Sequence, residues 1–152
     1  MGILDVASYR SVVRGFNYFN EDCVITLKRL ADYQFDADVK GSHNKIYRIH
    51  LDADHPRKSN CNCPHANGRR VVCKHIVATF FSSFPSEAQA YQQKIDAEIE
   101  DYEEREDLWI NDLKEQVNNM SEQEVRQAYL TSLIEQREMA HLYGLEEEFD
   151  DF

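Results

Sequence analysis

The chain has 152 residues, 42% hydrophobic and 30% charged, with eight Tyr and eight Phe, which suits one soluble domain or a small domain with an appendage. Its net charge of −11 is uneven: residues 1–80 hold twelve Lys and Arg against eight Asp and Glu, while residues 81–152 hold five against twenty. No apolar run approaches the roughly 20 residues that span a bilayer, which excludes a helical membrane protein, and a mildly basic front before an acidic rear suggests two regions with different partners.

The first residues, Met1-Gly2-Ile3-Leu4-Asp5-Val6, lack the basic start and long apolar stretch of a signal peptide, and Val6 stands where a myristoylation signal wants Ser or Thr. A cytoplasmic location is the expectation, where thiols stay reduced. From Leu4 to Phe19, apolar residues spaced by three and four predict a short helix, interrupted near Gly15. Three strand-like runs follow. Cys23 to Ala31 is rich in β-branched residues. Tyr33 to Lys40 alternates strictly, with Tyr33, Phe35, Ala37 and Val39 on one face. Lys45 to Asp52 alternates again through Tyr47, Ile49 and Leu51. Ala31-Asp32 and Gly41-Ser42-His43-Asn44 supply turns, so the runs form a three-stranded antiparallel meander. Asp52 to Asn60 reads as a polar loop, and Lys74 to Phe81 as a short apolar helix that stops before Pro85.

From Ser86 the pattern changes. Tyr91, Ile95, Ile99, Tyr102, Trp109, Leu113 and Val117 form one apolar stripe on a long acidic helix, which Asn118-Asn119 breaks. Ser121 and Glu124 form a capping box that opens a second helix, ended by Gly144. The fold expected is α+β: N-terminal helix, three-stranded meander, a ββα-type metal hook and an acidic two-helix extension. Its parts are a metal-binding domain over residues 1–85, the extension over 86–144, and a disordered acidic tail over 145–152.

The chemistry concentrates in one segment. Cys61-Asn62-Cys63 is followed after nine residues by Cys73-Lys74-His75, a C-x-C then C-x-H pattern. Residues i and i+2 of an extended chain point to the same side, so Cys61 and Cys63 can face one ion. Cys73 and His75 sit where a loop enters a helix, and the positive helix end favours thiolates. Zinc takes four such ligands in a tetrahedron, and four protein ligands leave no open position for a hydrolytic water. One structural Zn²⁺ is therefore expected on Cys61, Cys63, Cys73 and His75. A C-x-C disulfide would be strained. A Cys73–His75 nucleophile would leave Cys61 and Cys63 unexplained. His65 is the alternative to His75, and Cys23 reads as a buried free thiol.

These residues resemble the SWIM-type zinc finger. The likeness includes Cys61-Asn62-Cys63-Pro64 and Cys73-Lys74-His75-Ile76-Val77-Ala78, and extends upstream to Arg14-Gly15-Phe16-Asn17-Tyr18-Phe19, Gly41-Ser42 and Tyr47-Arg48-Ile49-His50-Leu51. It covers about residues 9–82. The resemblance implies a ββα zinc module, with roles in DNA binding or protein interaction and no catalysis of its own. No G-x-x-x-x-G-K-[ST] motif marks an ATPase, and without paired acids, a Gly-rich loop or an open metal position the chain is expected not to be an enzyme.

Two roles follow as expectations. The first is a protein-interaction adaptor, with Tyr102 and Trp109 on the apolar stripe as docking residues and self-association through residues 86–144. Phe149 and Phe152 join them, since the acidic end Glu146 to Phe152 resembles the tips of bacterial single-strand-binding proteins. The second is nucleic-acid binding through Arg57, Lys58, Arg69, Arg70 and Lys74 around the metal segment. The overall negative charge opposes that second role.

Overall fold

A computed structural model describes residues 2–142. The expected end of the second acidic helix at Gly144, the tail over 145–152, and Phe149 and Phe152 lie outside the described residues. Among the described residues, no helix is long and apolar enough to cross a membrane.

The N-terminal helix is divided in two, α1 (Ile3–Val6) and α2 (Tyr9–Asn20). The break falls at Ala7-Ser8 and not near Gly15. Ser8 is extended and its hydroxyl accepts the Ser11 backbone N–H at 3.2 Å, an N-cap that starts α2 afresh. Gly15 lies inside α2, where its missing side chain permits close packing: a Cβ there would lie 2.5 Å from Val77 Cβ and 2.9 Å from the Lys74 carbonyl oxygen.

The meander is present as β1 (Val24–Ala31), β2 (Gln34–Lys40) and β3 (Ile46–Asp52), all antiparallel. A fourth strand, β4 (Asn60–Cys61), extends it beside β3, so the sheet is four-stranded in the order β1-β2-β3-β4. β4 is two residues long, too short to show period-two alternation, which is why Asp52 to Asn60 reads as loop alone. Within that stretch Pro56–Lys58 makes a 3-10 turn. One face of the sheet presents buried Phe35, Ala37, Val39, Ile49 and Leu51 to α3 (Lys74–Ser83). The opposite face is polar, with Thr26 donating to Asp38 at 3.0 Å and His50 paired with Asp36 at 2.8 Å.

α4 (Pro85–Asn119) begins at Pro85, which stops α3 and also opens the next helix, since its missing N–H costs nothing there. The chain divides into two compact units at Asp96–Ala97, inside α4. The opening turns of α4 belong to the first unit. Ala88 is buried, and Tyr91 meets Phe16 at 4.8 Å and Phe81 at 5.3 Å between ring centroids. Phe16 and Phe81 meet edge to face at 5.1 Å, which locks α2 to α3. The second unit holds the rest of α4 and α5 (Glu122–Leu142), whose capping box is present as expected: Glu124 accepts the Ser121 N–H at 2.7 Å, and the Ser121 hydroxyl accepts the Glu124 N–H at 3.3 Å.

Candidate metal centre

Cys61 closes β4 and pairs with Ile49 across the ladder. Asn62 continues the pairing: it donates its N–H to the Arg48 carbonyl at 3.3 Å, and its side-chain oxygen accepts the Arg48 N–H at 2.9 Å. With Asn62 held against β3, Cys61 and Cys63 fall on the buried side. The chain then turns, with the Cys63 carbonyl accepting from Ala66 at 3.0 Å and Asn67 at 2.8 Å. Gly68 supports the reversal with φ of +70° in open space.

Cys73 is the extended N-cap residue of α3, and His75 stands in its first turn. All four side chains are buried, none more than 4% exposed. Their ligand atoms all lie within 4.8 Å of one another. His75 Nδ1 is 3.8 Å from both Cys61 Sγ and Cys73 Sγ. Zn–S and Zn–N bonds of about 2.3 and 2.1 Å at tetrahedral angles put sulfur and nitrogen about 3.6 Å apart. The donor set and spacing therefore fit a tetrahedral ion. His65 is exposed and the cluster holds His75, so the alternative ligand falls away.

The electrostatics agree. Cys73 is pushed down to about 4, because the Cys61 thiol donates to its sulfur, with burial opposing and His75 helping. Cys61, the donor, is raised well above the usual thiol range by that same bond and by burial. Cys63 is raised by burial and by the Cys73 charge. A divalent cation bound among these sulfurs would supply the charge that favours their ionised form. The fourth cysteine, Cys23, is half-buried and its thiol raised by burial.

The His75 ring is packed against Tyr47 at 4.7 Å and Tyr18 at 5.5 Å. Gly41 allows this, since a Cβ there would overlap the Tyr47 ring and lie 3.3 Å from His75 Nε2. With Nδ1 given to an ion the proton resides on Nε2. Lys74 reaches back over the Tyr18 ring, 4.1 Å from its centroid, and donates to the Tyr18 hydroxyl.

Of the five basic candidates, Arg57 and Lys58 lie in the 3-10 turn, Arg69 and Arg70 in the metal loop, all exposed. Lys74 is half-buried and lines a cavity of about 350 Å³ beside the metal centre, together with Arg10 and Arg14 of α2. Those two arginines escaped the sequence reading, although their spacing of four on one helix is a visible signal. Tyr102 and Trp109 stand on α4, 60% and 61% exposed, flanking a shallow groove with Arg105 and Glu106.

A β-hairpin edge and a helix start that converge on three cysteines and one histidine define a ββα Cys₃His metal module. Residues 47–83, which run from β3 through α3, match the family model of the SWIM zinc finger. Comparison with curated proteins and with solved structures gave no match.

Proposed function

We propose that the chain binds one structural Zn²⁺ through Cys61, Cys63, Cys73 and His75, and that the folded module serves as a cytoplasmic, non-catalytic adaptor for a protein partner. Four protein ligands saturate a tetrahedral ion, which leaves no open position for substrate or water. The reading rests on one observation above all. α4 and α5 leave Ile99, Tyr102, Leu108, Trp109, Leu130 and Ile134 each half or more exposed. A monomer rarely exposes so much large apolar surface without an interaction to serve. A second copy of the chain is one candidate occupant.

The test is Tyr102→Ala with Trp109→Ala in the full chain, read by sedimentation velocity and by cross-linked partner recovery. Loss of self-association or of a recovered partner at unchanged zinc content is the expected result. A variant that associates as the wild type does would remove the stripe from the proposal.

Nucleic-acid binding is the second reading, favoured by Arg57, Lys58, Arg69 and Arg70, which are exposed and without carboxylate partners among the described residues. A salt-dependent mobility shift of labelled DNA, weakened by neutralising these four, is its expected signature.

A further inference from the structure

Arg10 and Arg14 stand one turn apart on α2, Lys74 is the first residue of α3, and all three line the cavity of about 350 Å³ whose wall also holds Cys63, Cys73 and His75 of the metal centre. No Asp or Glu lines it, in a chain that has 28 of them. Neither arginine has a partner among the described residues.

The cations stand against their own helices. Arg10 is in the first turn of α2 and Lys74 in that of α3, and neither turn holds an acid. Both therefore face the positive end of the peptide dipoles, where anions are favoured and cations are not. Arg10 and Arg14, at spacing four, also repel each other. The metal centre does not neutralise them, since three thiolates and a divalent ion sum to one negative charge. Ser11 and Ser42 add hydroxyls to the wall. His75, 4% exposed, also lines the wall, and its Nε2 is the buried side-chain nitrogen without a hydrogen-bond partner among the described residues. Paired guanidinium groups bind phosphate oxygens in a fork geometry, and the volume is that of a small-ligand site.

We propose that this cavity is a phosphate-binding site, in which Arg10, Arg14 and Lys74 hold one phosphate group and Ser11 and Ser42 orient it. The group is supplied either by a free phosphate ester or by a nucleic-acid backbone. The site stands apart from the adaptor reading, and Arg10, Arg14 and Ser11 lie outside the finger's match over residues 47–83.

The test titrates the full zinc-loaded chain with inorganic phosphate by calorimetry at fixed ionic strength, beside chloride as control. Arg10→Gln with Arg14→Gln is the variant, with zinc content and melting temperature measured in parallel. Saturable phosphate binding, weakened tenfold or more in the variant at unchanged zinc content, is expected. Phosphate heats no different from chloride, or equal binding by the variant, would overturn the proposal. So would zinc loss in the variant without any phosphate binding by the wild type, because the arginines would then only balance the thiolates. A parallel titration with a short DNA duplex separates the sources. DNA binding that falls in the variant and competes with phosphate assigns a nucleic-acid backbone, whereas DNA indifferent to the variant assigns a free phosphate ester.

Discussion

The contact between Cys73 and Cys61 lowers the Cys73 thiol and raises that of Cys61. Removing either sulfur leaves three donors for an ion that wants four. Cys61→Ser and Cys73→Ser are each expected to lose the metal and to lower the melting temperature sharply, since structural zinc binding contributes directly to folding free energy. Mass spectrometry of protein purified without added zinc, beside calorimetry, checks both.

Asp52 gives a separate, pH-dependent expectation. Burial would raise its carboxyl, but the His55 N–H at 2.8 Å, the Gln34 amide at 3.2 Å and the His55 ring outweigh burial and hold it below the usual carboxylate range. Its folded value lies below its unfolded one, so its stabilisation is present above about pH 4 and is lost as pH falls through the folded value. Asp52→Asn is expected to cost about 1–3 kcal/mol at pH 7. Urea unfolding from pH 7 down to pH 3 should show the difference between variant and wild type shrinking. The four metal ligands were legible in the sequence because they fall within fifteen residues. The juxtaposition of Arg10, Arg14 and Lys74 was not, because it depends on α2 lying against α3 across sixty residues of chain.

Between elements, the decisive contact is that of α2 with α3. Gly15 sits where a Cβ would lie 2.5 Å from Val77 Cβ, so Gly15→Ala must push the helices apart or move the Val77 side chain. Overpacking of this kind costs about 1–3 kcal/mol, beyond any gain in helix propensity. Thermal unfolding should show that loss, and adding Val77→Ala should recover part of it. The N-terminal helix departs from its apolar spacing for local reasons. Ser8 caps α2 and splits a run whose apolar spacing reads as one helix, and Gly15 marks a close approach where a break is expected. β-Branched content located β1 and alternation located β2 and β3, whereas β4 is specified by pairing with β3 and by Asn62, which no local pattern reveals. The Ser121–Glu124 box was readable because a cap is a purely local bond. Ser121→Ala should speed hydrogen exchange in the first turn of α5 while leaving zinc content unchanged.

At the scale of the molecule, the charge division and the structural division nearly coincide. The basic front carries the finger and the phosphate-site cations, and the acidic rear carries the exposed apolar helices. α4 belongs to both units as one continuous helix from Pro85 to Asn119. An isolated acidic helix has to form its first turn at a large entropic cost, and extends cheaply only afterwards. Here that first turn is already made, pinned by Ala88 and Tyr91 against an aromatic cluster built on α3, the same helix that carries His75. The ion would then act as a seed for order well outside its own loop. Stripping it with a chelator should erase more helical circular dichroism than the ten residues of α3 account for, because the long acidic helix loses its starting point along with the finger.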